Sequence, residues 1–206
     1  MAVDSAENFQ APTARDLRLQ WRSGRLCLDF IATKGEWEGR QFERIVDSDH
    51  WLCWLGKARV AAPPAVTEAD LREMVELREH AYRIVRSRAA SEPVPKDSLA
   101  VLNRFAMISP PPPQINEDGR EIKRDVTQRP DEVLSIIARD LINLLAGPLH
   151  DRIRKCAEPT CEFYFADSSR PGRRRWCTSC GAAAASARYR DRRNRELADK
   201  ELRDRT

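Results

Sequence analysis

Four cysteines near one end of the chain limit what this sequence can fold into. Cys156 and Cys161 form a C-x4-C pair, fifteen residues follow, and Cys177 and Cys180 form a C-x2-C pair. Each short loop lets two thiolates converge, and the connector brings the pairs together, which is the donor arrangement of a tetrahedral Zn2+ site. Four thiolates leave no open position for water, so the spacing predicts one closed, structural zinc ion. Two disulfides or four unrelated buried thiols are the competing readings, and the knuckle spacing favours neither.

Charge gathers around the same cysteines. Residues 152–206 carry fifteen Lys/Arg against eight Asp/Glu, a formal +7, which leaves −3 for the rest of a chain whose total is +4. Arg170, Arg173, Arg174 and Arg175 lie on the connector between the Cys pairs, and Arg188, Arg190, Arg192, Arg193 and Arg195 follow the last cysteine. The segment after Gly181 has no Gly or Pro and is rich in Ala, Arg, Glu and Leu, so it predicts a helix rooted on the metal site. At 100° per residue Arg188, Arg192 and Arg195 share a face, with Arg190 and Arg193 flanking it. Such a face suits phosphates and base edges, making double-stranded DNA the expected partner. RNA remains a further target class. The competing reading is a solvated, salt-bridged helix, since Asp191, Glu196 and Asp199 are interspersed.

These residues resemble a known family. The C-x4-C pair, the stretch Phe163, Tyr164, Phe165, Asp167 and Ser168, the run Arg174-Arg175-Trp176-Cys177, and Cys180-Gly181 are similar to the CGNR zinc finger at the C-terminus of bacterial transcription regulators. Leu26 to Gly35, LCLDFIATKG, resembles the opening motif of the ABATE domain that precedes it in that family. Two features depart from the pattern. Ala182 and Ala183 stand where the family has Asn-Arg, in a run of alanines reaching Ala185, and only Thr178 and Ser179 separate the second Cys pair. Zinc ligation tolerates both changes, whereas base contacts from the helix start are expected to weaken.

Elsewhere the pattern is mainly helical. A chain of 206 residues, 41% hydrophobic, can bury one substantial core plus a small module. Residues 1–16 lack an apolar signal region and are expected to be a disordered tail. With no long apolar run, no membrane contact is expected, and the protein is expected to be cytoplasmic with Cys27 and Cys53 reduced and buried. Leu26 to Ile31 fits a helix or a buried strand by periodicity; the resemblance selects helix, with Asp29 and Thr33 as polar groups one turn apart. They are either a satisfied core pair or part of a ligand pocket. Trp37, Trp51 and Trp54 either pack a core or bound a cavity, which makes Asp29, Thr33 and Trp54 the candidate ligand-binding residues. Ser48 is expected to cap a short helix, and Thr67 with Asp70 to open a long one to about residue 90. Helices are predicted over about 96–108 and from Pro130 to Gly147, with a β-hairpin at Asp118-Gly119 flanked by Ile115, Ile122 and Val126.

The expected fold is therefore mainly α with a small β-hairpin: an ABATE-like helical domain at 17–150, an expected ligand sensor, and a zinc module at 151–206 ending in a basic helix. His50, His80 and His150 have no partner at ligand spacing, and the chain lacks nucleophile-elbow, Walker and dinucleotide motifs, so no enzyme is expected. The leading reading is a zinc-finger DNA-binding transcription regulator with a small-molecule effector. The alternative is a zinc-ribbon module for protein interaction or homodimerisation without specific DNA binding; salt dependence separates the two.

Overall fold

The computed structural model describes residues 11–120 and 128–204, with the side chains of its last helix described as far as Arg195. In chain order the elements are α1 (Leu26–Ile31), β1 (Lys34–Gly35), β2 (Phe42–Glu43), α2 (Ser48–Ala58), α3 (Glu68–Ala89), α4 (Lys96–Ala106), α5 (Pro130–Ala146), a 3-10 turn (His150–Arg152), β3 (Ile153–Lys155), β4 (Tyr164–Ala166) and α6 (Thr178–Asp204). The fold is mainly helical, with two small antiparallel two-stranded sheets among the described residues. None of these helices is long and apolar enough to cross a membrane.

Local chemistry sets the helix boundaries. At α3 the Asp70 amide donates to Thr67 Oγ1 (3.2 Å) while the Thr67 amide donates to Asp70 Oδ2 (2.7 Å), the reciprocal pair its sequence predicts. At α2 the cap is Asp47 rather than Ser48, because the Asp47 carboxylate accepts from the His50 amide at 2.9 Å. Pro130 starts α5. That helix stops at Gly147, where a Cβ would run into the Asn143 carbonyl.

The core forms around α3. Met74, Leu77, Ala81, Ile84 and Val85 recur at three- and four-residue steps and are buried against α1, α4 and α5, with Phe30, Leu102, Leu134 and Leu141 among their neighbours in the core. Trp51 and Trp54 of α2 stack at 5.2 Å, and Trp21 stacks on Trp54 at 5.4 Å. Between α1 and α2 the polar stretch forms β1 and β2, paired Lys34 to Glu43 and Gly35 to Phe42. Only Gly fits at 35, since a Cβ there would enter the Phe42 ring. Periodicity gave no sign of these two-residue strands.

Residues 1–10 lie outside the described residues, while residues 13–16 form a turn in which Asp16 accepts from the Thr13 amide at 2.9 Å. Cys27 is buried as expected, but Cys53 is exposed, because α2 turns Trp51, Trp54 and Leu55 inward and position 53 falls on the opposite side. Gly119 takes φ +69 and donates to Asn116 O at 3.0 Å, so a turn exists there; Ile122 and Val126 lie outside the described residues.

β3 and β4 join this core to the cysteine region. They pair antiparallel, with Ile153 facing Ala166 and Lys155 facing Tyr164. Side chains alternate across a strand. Tyr164 and Ala166 accordingly enter the main core with Ile153, while Phe163 and Phe165 form a second cluster with Cys156 and Cys177.

Candidate metal centre and nucleic-acid interface

The two cysteine pairs converge through a few backbone bonds. Cys156 leaves β3 and Cys161 leads toward β4, and the loop between them closes through Cys156 N–H to Phe163 O (2.8 Å) and Cys161 N–H to Glu158 O (2.9 Å). Cys177 ends the connector and Cys180 lies in the first turn of α6, which starts at Thr178, earlier than the Gly181 boundary read from composition. Ala157 N–H donates to Arg175 O at 2.9 Å and fixes one loop against the other. All four Sγ atoms lie within 4.8 Å of one another, with Cys161 and Cys177 at 3.9 Å. A tetrahedron with Zn–S bonds of about 2.3 Å has S···S edges of about 3.8 Å, so the donor set fits one closed structural Zn2+. The Cys177 amide donates to Cys156 Sγ at 3.3 Å, the kind of outer hydrogen bond that orients a thiolate ligand.

The four thiols also compete for protons. Cys177 is pulled down to about 4, first by the hydrogen bond from the Cys161 thiol and then by bonds from the other cysteines. Cys161 is raised by that same bond and by burial, and Cys180 is pushed up to about 12 by burial and by the Cys177 thiolate. One thiolate thus suppresses its neighbours, and a central dication reverses that preference.

The connector is held by Asp167. This fully buried carboxylate accepts from Ser169 N (3.0 Å) and Ser169 Oγ (2.6 Å) on one oxygen and from Arg174 N (2.8 Å) on the other. Burial alone would raise its pKa, but these bonds prevail and hold it below the ordinary carboxylate value.

The nine arginines fall into two groups. Arg170, Arg173 and Arg175 on the connector and Arg188, Arg190, Arg192, Arg193 and Arg195 on α6 are exposed. Arg174 is turned inward: Nε donates to Trp176 O (2.8 Å), Nη2 to Thr178 Oγ1 (2.8 Å), and the guanidinium lies 4.8 Å over the Phe165 ring. It ties the connector to the start of α6. An open groove of ≈ 410 Å³ runs between Arg173, Arg175 and the helix start at Thr178 and Gly181. Along α6, Ala184 and Ala187 are half-buried while Ala182, Ala183 and Ala185 are exposed.

The three residues nominated for a ligand have internal roles. Asp29 accepts from the amides of Arg22 (3.0 Å) and Ser23 (3.1 Å), and burial raises its pKa. Thr33 donates to Phe30 O (2.7 Å) and accepts from Arg78 Nη1 (2.9 Å), and Trp54 is enclosed between Trp21 and Trp51. A cleft of ≈ 440 Å³ opens nearby, lined instead by Arg22, Trp37, Arg44, Phe163 and others. Arg22 and Arg44 gave no signal in the sequence, because a buried or aligned arginine in a polar stretch has no periodicity. Arg78 did give one, as a charge in register with Met74 and Ala81 on the apolar stripe of α3.

A closed four-thiolate zinc centre that roots a basic helix defines a zinc finger, built here into the edge of a helical core. The chain belongs to the ABATE family, described as "Putative stress-induced transcription regulator", whose sequence model matches residues 24–148. The CGNR zinc finger matches residues 152–193. No curated protein matches the chain.

Proposed function

We propose that this protein is a transcription regulator that binds double-stranded DNA through its zinc-held basic surface, works in the cytoplasm and answers to a small ligand. The observation that carries the reading is the fixed relation between two sets of exposed arginines, Arg173 and Arg175 on the connector and Arg188 to Arg195 on α6, both anchored on the same four cysteines. Phosphates are met by guanidinium groups whose backbone positions the zinc-held loops and helix already fix. Residues 151–206 are then the DNA module and 17–150 the regulatory part. Both matching families bear names of regulators or zinc fingers rather than enzymes. Because Ala182, Ala183 and Ala185 offer no base-edge donors, phosphate contact dominates and sequence preference is weak.

Fluorescence anisotropy on duplex DNA in a salt series tests this. With six or more phosphates engaged, affinity falls at least about a thousandfold between about 50 and about 200 mM salt. Arg188→Ala with Arg192→Ala flattens that slope. Binding indifferent to salt, or none, sinks the reading and favours a protein-interaction or dimerisation module, which sedimentation of the same samples reports.

A further inference from the structure

The ≈ 440 Å³ cleft lies between the 15–22 segment, α1, the β1–β2 loop and the first zinc knuckle, and its volume is that of a small-molecule site. Its cations are its unusual feature. Arg44 is 7% exposed, and its Nε and Nη1 donate to the carbonyls of Asp16 and Ala32, both at 2.7 Å. No carboxylate among the described residues hydrogen-bonds to it. Arg22, half-buried over the Phe163 ring at 5.3 Å, stands close enough to repel it. Burial first, and then Arg22, lower the Arg44 pKa to about 10. Asp16, Glu36 and Glu43 attract Arg44 through space, but Asp16 and Glu36 are paired with Arg40, and Glu158 and Glu162 are the other acids of the lining. Two guanidinium groups facing one cavity without a hydrogen-bonded counter-anion form a costly arrangement that a bound anion relieves.

The other walls add shape. Leu28, Ile31, Trp37 and Phe42 line the cleft with apolar surface, and Gln20 is a polar residue of the same lining. The cleft also touches the DNA module. The Arg22 carbonyl accepts from Thr178 Oγ1 at 3.2 Å at the first residue of α6, and Cys161 and Cys180 belong to the lining.

We propose that this cleft binds a small carboxylate on a flat apolar body, clamped by Arg22 and Arg44, and that occupancy is transmitted to α6 through Arg22 and Thr178. The binding half stands alone, while the transmission half rests on the DNA-binding reading above.

Isothermal titration calorimetry of the full zinc-loaded chain uses para-hydroxybenzoate as probe and inorganic phosphate as the comparison. The expected result is saturable one-to-one binding of para-hydroxybenzoate at sub-millimolar concentration and much weaker binding of phosphate. Arg22→Gln should weaken the probe by at least about tenfold, since it removes one charge-assisted partner, with zinc content and thermal midpoint unchanged. Arg44→Lys, which keeps the charge but loses the planar donor fork, should weaken it as well. Absence of saturable binding overturns the site, as does wild-type affinity in both variants. Phosphate binding as tightly as the probe overturns the ligand class. With the probe at saturation, duplex DNA affinity should shift severalfold in the wild type and not in Arg22→Gln. Probe binding with unchanged DNA affinity overturns the transmission alone. Probe binding by a protein that ignores DNA overturns the regulator reading and leaves the cleft standing.

Discussion

Asp167 and Arg78 are single charges buried where a mistake would be costly. The Asp167 carboxylate satisfies Ser169 and the Arg174 amide across the connector, so Asp167→Asn turns a donor toward one of those amides. The expected loss is about 1–3 kcal/mol in urea unfolding, together with weaker zinc retention. The folded pKa lies below the unfolded value, so this contribution is complete above the ordinary carboxylate range and is lost as pH falls through the lower folded value. The gap between wild type and variant should therefore be constant at neutral pH and close only below about pH 4. Arg78 is fully buried, donating to Thr33 Oγ1 at 2.9 Å and pairing with Glu43 at 2.7 Å. Arg78→Ala is expected to lower stability by about 3 kcal/mol or more, read as a shift in the denaturant midpoint. The sequence showed Asp167 only as part of a family-like stretch, and Arg78 was not singled out although it stands in register with the apolar face of α3. Their partners stayed hidden because Glu43 and Arg174 reach them through a strand and a loop with no local pattern. The cysteines were legible because a tetrahedral ion imposes spacing on the chain itself.

Helix α6 is the element where sequence and structure meet most directly. Composition indicated a long helix rooted on the zinc site, and the observed helix runs Thr178–Asp204, beginning between the two cysteines of the second pair. The early start matters: it puts Cys180 and Gly181 in the first turn and the alanines in the second, the turn that a groove-bound helix brings nearest to base edges. Ala182, Ala183 and Ala185 are exposed and Ala184 is half-buried, so the first three are open to substitution without repacking. Ala182→Asn with Ala183→Arg should raise affinity for a preferred duplex by about 1–3 kcal/mol over scrambled DNA, the worth of one good base contact. Equal gains on both duplexes would mean that only phosphates had been added. The strands were less legible. β1 and β2 are two residues each, and β3 and β4 are three each, with β4 buried throughout and only Ile153 of β3 buried, so neither alternation nor a long apolar run marks them.

At the scale of the molecule, composition suggests a helical domain with an appended zinc module that unfolds alone when the ion is removed. Packing argues for tighter coupling. Ile153, Tyr164 and Ala166 sit in the same buried cluster as Phe30, Trp51 and Leu141, and β4 carries Phe163 and Phe165 toward the cysteines on its other side. The Ala166 amide donates to Ser23 O at 3.3 Å, and Lys155 pairs with Glu38 at 2.9 Å. Tyr82 of α3 closes the connection, stacked on Trp37 at 4.0 Å and edge-on to Tyr164 at 6.1 Å. Structural zinc contributes on the order of 10 kcal/mol of apparent binding energy to small modules, and here β3 and β4 link the knuckles to the core. Chelation should therefore do two things in one transition. It should release α6, seen as lost far-ultraviolet helix signal, and it should lower the thermal midpoint of the tryptophan core, seen in the intrinsic fluorescence of a Trp176→Phe background, since Trp176 packs beside the cysteines. Tyr164→Ala separates the links: it should weaken the core while the four thiols still bind zinc, so that chelation then shifts the fluorescence midpoint less than in the wild type. A tryptophan transition untouched by chelation would show that the strand pair transmits nothing and that the two parts fold independently.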